Sequence, residues 1–325
     1  MTAQFGSHPL DAQAAPSVAI VIPCYNEEAV LAVTAERMTT IVRDMQVRGL
    51  VSSQSTVNFI DDGSRDATWR IIEQLAAKDS LIRGLKLSRN RGHQNALMAG
   101  LMTAEGDATI SVDADLQDDL GAIESMILKF REGCEVVYGV RKRRDTDTFF
   151  KRFTAEGYYK LLAAVGVDVV FNHADYRLLG RAAIEALRDY GEVNLFLRGI
   201  IPQLGFKSDL VMYDRQERFA GESKYPLSKM LSLAWNGLTS FSSKPLRWIT
   251  VAGTLISFIS FGIGTWALLL SLFSERVMPG WASTVIPMYF MGGIQLLSLG
   301  IIGEYVSKIY LETKRRPRFI IEKQV

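Results

Sequence analysis

"ATISVDADLQDD", Ala108 to Asp119, is a short apolar run that breaks abruptly into four aspartates and a glutamine. A short β-rich run bounded by polar residues reads as a buried strand, so the carboxylates gather at one strand end. The same pattern recurs on either side of it. Val18 to Ile22 is a β-rich run ending at Pro23, followed by a helical pattern from Glu27 to Arg48. Thr56 to Ile60 stops at Asp61-Asp62-Gly63-Ser64, ahead of a helix from Asp66 through Lys78. Leu85 to Leu87 precedes a helix from His93 to Ala104, and Ala108 to Val112 precedes one from Ile123 to Arg131. Val136 to Val140 is a fifth strand. This alternation predicts an α/β domain whose mostly parallel sheet is covered by helices on both faces.

In such sheets ligands bind beyond the carboxyl ends of the strands. The strand ends here read PCYNEE, DDGS, SRNRGHQNA and DADLQDD, which collects Glu27, Asp61, Asp62, Asn90, Asp113 and Asp115 along one edge. A lone acidic residue before a helix is usually an N-cap, and Asp66 and Asp118 take that reading. Four clusters at four successive strand ends ask for more. Crowded carboxylates repel one another unless a cation joins them, and oxygen ligands favour a hard ion such as Mg²⁺ or Mn²⁺.

Composition excludes other classes. The formal net charge is only +2, which argues against a nucleic-acid partner. With three histidines and two cysteines, Cys24 and Cys134, far apart in the chain, a His/Cys zinc site is not expected, and the cysteines read as reduced thiols. Residues 1–17 carry no apolar h-region and read as a flexible polar lead-in.

The C-terminal third differs in kind. Ile249 to Phe273 and Val277 to Gly303 are free of charged residues, and only a short stretch holding Glu275 and Arg276 parts them. Each is long enough to cross a ~30 Å hydrocarbon core as a helix. Lys244 and Arg247 precede the first run, while Lys308, Lys314, Arg315, Arg316 and Arg318 follow the second. Positive flanks stay cytoplasmic, which predicts a two-helix anchor with the large domain and the tail on the cytoplasmic side. Amphipathic stripes over Thr148 to Val165 and over Leu227, Met230, Leu231, Trp235 and Leu238 predict interfacial helices beside it.

PCYNEE, DDGS, DADLQDD, RFAGESKY (Arg218 to Tyr225) and the GEY…KRRPRF tail resemble the polyprenyl-phosphate glycosyltransferases of the GT-A type. Bacterial bactoprenol glucosyltransferases and, further off, dolichol-phosphate mannose synthases belong to that group. NLFLRGI and DYRLLGR, Asn194 to Ile200 and Asp175 to Arg181, add to the bactoprenol likeness. The resemblance implies a Rossmann-like GT-A domain over 18–225, an interfacial helix over 226–247, transmembrane helices at about 249–273 and 281–303 within 248–306, and a cytoplasmic basic tail over 307–325. It implies that Asp113 and Asp115 hold Mg²⁺ or Mn²⁺ with Gln117 as a third ligand, Asp115 being catalytic. It further implies that Pro23, Tyr25, Glu27, Asp61 and Asp62 line the nucleotide, and that Arg218, Ser223 and Lys224 close over the site. Where many relatives read DLQDP, this chain has Asp119; where several carry lysine it has His93, which receives no role.

The implied reaction moves glucose from UDP-glucose to undecaprenyl phosphate with inversion, at the bacterial inner membrane, feeding surface-polysaccharide modification such as that of O-antigen. A homo-oligomer such as a tetramer goes with it. Other UDP-sugars (N-acetylglucosamine, galactose or aminoarabinose donors) stay open. A phosphate monoester acceptor has a second pKa of about 6 and is already an oxyanion, so it needs cations rather than a general base. Arg141, at the end of the fifth strand and ahead of Lys142, Arg143, Arg144, Lys151 and Arg152, is the expected acceptor-phosphate ligand. A processive synthase would carry a QxxRW motif and more spans, and neither is present. A non-catalytic partner of a flippase is the remaining alternative.

Overall fold

A computed structural model describes residues 14–141, 173–192, 195–214, 244–273 and 281–325. The expected interfacial stripes, the basic residues 142–152 and the segment with Arg218, Ser223 and Lys224 lie outside these residues. The chain divides into two units, one of which joins the N-terminal domain to residues 315–325, while the other holds the long C-terminal helices.

The first unit follows the predicted alternation: β1 (Val18–Cys24), α1 (Leu31–Val47), β2 (Thr56–Asp61), α2 (Thr68–Lys78), β3 (Ile82–Leu87), α3 (His93–Thr103), β4 (Ala108–Ser111), α4 (Ala122–Arg131) and β5 (Val136–Arg141). Then come β6 (His173–Gly180), α5 (Arg181–Arg188), α6 (Leu197–Gln203) and β7 (Ser208–Tyr213). A last strand, β8 (Ile321–Gln324), comes from the segment expected to be a tail. The strands form one sheet in the order β7-β5-β6-β4-β1-β2-β3-β8. β1, β2, β3 and β4 pair in parallel, as do β5 and β7, whereas β6 and β8 run antiparallel to their neighbours.

Burial explains the order. β1 and β2 are buried along their whole length and sit inside the sheet. Parallel strands covered on both faces read as continuous apolar runs, as VAIVI does here. Ile20, Ile22, Val57, Phe59 and Ile110 face α1, α2 and α4, meeting Leu31, Met38, Met45, Ile72, Ile123 and Ile127. Each such side chain contributes about 1.5–3 kcal/mol by leaving water. On the other face α3 comes so close that a Cβ on Gly100 would lie 2.3 Å from Val21 and 2.9 Å from Ile60. Both cysteines are buried free thiols. β8, by contrast, is exposed throughout and carries Glu322 and Lys323, the charges that natural edge strands use to discourage further pairing. Lys86 on β3 meets Glu322 at 3.2 Å.

The second unit holds α7 (Lys244–Phe273) and α8 (Trp281–Thr313). Leu246–Ile263 and Phe290–Thr313 are long and apolar enough to cross a membrane, with mean hydropathies of 1.6 and 1.2. Trp248, Phe258, Phe261, Trp266, Phe290 and Leu296 stand exposed on them. An exposed apolar surface of this kind calls for a covering partner, either protein or lipid hydrocarbon.

Candidate active site

The carboxyl ends of β1 to β5 share one edge of the sheet, and among the described residues Asp61, Asp62, Asp113, Asp115 and Arg141 lie along it. The DDGS turn comes first. Gly63 has φ +68°, and a Cβ there would lie 2.6 Å from the Arg89 carbonyl carbon, so only glycine lets the two loops touch. Asp62 binds across that contact, accepting the Arg91 and Gly92 N–H groups at 2.7 and 2.8 Å. Asp61 is fully buried and accepts the Ser64 N–H at 3.0 Å, while its Oδ2 has no partner among the described residues. Burial raises the Asp61 carboxyl against the bonds from Ser64. Such an oxygen is poised to accept from a ligand. Pro23 pairs with Ile60 in the ladder. Tyr25 is exposed, and the Glu27 N–H donates to Thr68 Oγ1 at 2.9 Å. Asp66 receives the Thr68 and Glu28 N–H groups at the start of α2.

The DADLQDD loop is held from several sides. Thr34, buried in α1, donates to the Ala114 carbonyl at 2.9 Å. Leu116 is buried with φ +54°, a left-handed conformation that costs about 1–2 kcal/mol for a residue with a Cβ. The turn brings the Gln117 N–H to Asp115 Oδ1 at 3.2 Å, and Gln117 is itself buried. Asp118 is not the cap expected. α4 begins only at Ala122, and the Asp118 side chain is buried at 2% exposure. Its Oδ1 accepts the Tyr213 hydroxyl at 2.6 Å and meets Arg141 Nη2 at 3.4 Å.

The structure also brings to this edge His93, Asp175 and Arg198, whose placement the sequence pattern does not reveal. β6 enters antiparallel between β4 and β5, so its first residues, not its last, reach the ligand edge. Asp175 arrives there beside Asp113. His93, the first residue of α3, lies with Nε2 3.7 Å from both carboxylates. Arg198 grips Asp175 through Nε and Nη2 at 3.2 Å each, Gln94 donates to it at 3.2 Å, and the buried Arg177 adds a further ion pair. The clues are present in DYRLLGR and SRNRGHQNA, but antiparallel insertion of a strand leaves no local mark.

Electrostatics separates the two aspartates. Burial pushes Asp175 up, but Arg198 and Arg177 outweigh it and hold the carboxyl well below the usual range. Asp113 keeps 38% of its side-chain surface, yet protein walls it on most sides. Burial, reinforced by Asp175, Asp118 and Asp115 and opposed by His93, pushes its carboxyl up to about 6. A negative cluster that its own fold leaves under-compensated fits a divalent cation. Among the described residues no three His, Cys, Asp or Glu side chains converge to enclose one.

A sheet of this order with acidic loops along its carboxyl edge is that of a GT-A glycosyltransferase. Residues 19–188 match glycosyl transferase family 2, and the chain belongs to that family. It is similar, at 49% identity over 312 residues, to the uncharacterized glycosyltransferase YkoT of Bacillus subtilis, covering 95% of this chain and 92% of that one. It is likewise similar, at 40% identity over 307 residues, to the SfII prophage-derived bactoprenol glucosyl transferase of Shigella flexneri, covering 94% and 97%. Among solved structures, glucosyl-3-phosphoglycerate synthase from Mycobacterium tuberculosis in complex with Mn²⁺, UDP and glucosyl-3-phosphoglycerate matches at 17% identity with a TM-score of 0.44, over 70% of this chain and 79% of that one.

Proposed function

We propose that the protein transfers glucose from UDP-glucose to a polyprenyl phosphate, undecaprenyl phosphate in bacteria, with inversion at the anomeric carbon. The observation that carries this is the chain-long similarity to the bactoprenol glucosyl transferase, which takes in the acidic loops and both apolar helices. In this reading Asp113 and Asp115, with Gln117, hold Mg²⁺ or Mn²⁺. That ion supplies Lewis-acid stabilisation of the charge that develops on the leaving diphosphate. The buried Asp61 offers its unpaired oxygen to a donor group on the nucleoside, and Pro23, Tyr25 and Glu27 frame the same pocket. Asp62 holds the β3–α3 loop in place as one wall. Arg141 meets the acceptor phosphate, which arrives as an oxyanion and needs orientation rather than deprotonation. Arg218, Ser223 and Lys224 close over the bound donor.

The two apolar helices anchor the enzyme in the inner membrane, with the catalytic domain on the cytoplasmic side where basic flanks stay. β8 belongs to the same sheet as β1 to β7, so any bilayer crossings between residues 214 and 321 are even in number. Two helices meet that condition. A homo-oligomer is part of this proposal.

The test is radiolabel transfer from a panel of UDP-sugars to undecaprenyl phosphate, with Mg²⁺ or Mn²⁺ and with EDTA. Labelled lipid from UDP-glucose, abolished by EDTA, is the expected result. Label from another UDP-sugar would correct the donor. No label from any donor, with folded protein and dispersed lipid, would overturn the transferase reading in favour of a binding partner.

A further inference from the structure

Asp118 closes the acidic run, and the proposed reaction makes no use of it. It lies three residues beyond Asp115, in the loop that carries the cation-binding aspartates. Arg141 and Tyr213 are the last residues of β5 and β7 and face each other in the parallel ladder, so they project from the same face of the sheet. Arg141 Nε donates to the Tyr213 hydroxyl at 3.2 Å, Tyr213 donates to Asp118 Oδ1 at 2.6 Å, and Arg141 Nη2 reaches the same oxygen at 3.4 Å. The triangle therefore ties two strand ends to the metal-motif loop. A second clamp stands beside it: Tyr176 on β6 meets the Tyr213 ring edge-on at 5.2 Å and donates to the Asp119 carbonyl at 3.0 Å.

The distances decide what the triangle does. Asp118 accepts its short bond from a neutral phenol and makes only a long contact with the guanidinium, so the phenol is the tighter link between the loop and the strand ends. Burial and the Asp118 charge push the Tyr213 phenol upward, which keeps it protonated and donating. Asp118 Oδ2 is buried with no partner among the described residues, which makes the residue a poor choice for stability alone. A guanidinium presents its N–H groups in one rigid plane, and holding two of its nitrogens fixes where the others point.

We propose that Asp118 and Tyr213 are positioning residues for the acceptor phosphate: they lock the Arg141 guanidinium to the loop bearing Asp113 and Asp115, so that the acceptor and donor ends of the site keep one spacing. This rests on the reading that Arg141 meets that phosphate. In-line displacement is sensitive to such spacing, since a misplacement of about 1 Å can cost on the order of a hundredfold in rate.

The experiment is steady-state kinetics on the full-length enzyme, varying polyprenyl phosphate and UDP-sugar separately, with thermal melting alongside. Tyr213→Phe removes one hydroxyl and Asp118→Asn keeps the shape. Each is expected to raise KM for the lipid phosphate by about tenfold, the effect of one lost charge-assisted hydrogen bond, and to leave KM for the UDP-sugar within about twofold. The double variant should be little worse than either single, because the pair acts as one unit. An unchanged acceptor KM in Tyr213→Phe, or an equal loss in both KM values that tracks a lower melting temperature, overturns the proposal. Arg141→Ala separates the two layers. If it raises acceptor KM while Tyr213→Phe does not, only the positioning role fails; if Arg141→Ala leaves acceptor KM untouched, the assignment of Arg141 itself falls.

Discussion

Asp62 and Asp113 are the same residue type at the ends of β2 and β4, two strands of one sheet with β1 between them, and burial raises both carboxyls, yet their partners differ. At the β2 end, the next loop turns two backbone N–H groups onto Asp62 and closes it. At the β4 end, Asp113 faces three other carboxylates and one histidine. Asp175, its neighbour, is a third case, closed by two guanidinium groups. The fold thus answers one carboxylate with backbone N–H groups and another with arginines, and leaves Asp113 among like charges, where the proposed cation would bind.

The sharpest way to break that comparison is Asp115→Ala. On the proposal that Asp113 and Asp115 hold the metal, turnover should fall by about 10²–10³-fold or more, while the melting temperature stays near that of the parent; radiolabel transfer and calorimetry read the two. The second test removes the arginine-closed case. Asp175→Ala leaves Arg177 buried without its partner and should cost about 3–5 kcal/mol in denaturant unfolding. Because the folded Asp175 pKa is depressed, its contribution is present above the unfolded value of about 3.9 and is lost as pH falls below it.

The amide-closed case comes next. Asp62→Asn keeps the shape but leaves one oxygen to serve two N–H groups, with an expected loss of about 1.5–3 kcal/mol and faster hydrogen exchange at Arg91 and Gly92. Asp113→Asn should do the reverse in metal-free protein and raise its melting temperature. The folded carboxyl titrates at about 6, above the unfolded value, so the metal-free parent loses stability as pH rises from about 4 to 6 and the asparagine variant does not. A parent that gains stability over that interval would sink this account of the cluster.

Much of the sheet is legible in the chain itself. β1 to β5 and α1 to α4 follow from apolar runs that end in polar turn residues, and their bounds shift by only a few residues. β6, β7 and β8 are not legible in that way. HADYRLLG carries an aspartate and an arginine at positions that read as polar, although Arg177 is fully buried and pairs with Asp175 on its own strand. SDLVMY is half-exposed near the edge, and IEKQ is a four-residue polar strand that exists only because β3 offers it an open ladder. The site divides in the same way. Asp61, Asp62, Asp113 and Asp115 stand out because strand ends are local features. His93, Asp175, Arg198 and Tyr213 do not, because an inserted antiparallel strand brings its beginning to the ligand edge and a parallel neighbour brings its end.

Sequence by itself determined the class of protein, the acidic edge and the two apolar helices, since each is written in contiguous residues whose hydrophobicity or charge acts locally. Tertiary structure alone decided which of those acids meets N–H groups or arginines and which stands among like charges. That depends on groups dozens of residues away, and only packing sets the few ångströms between them.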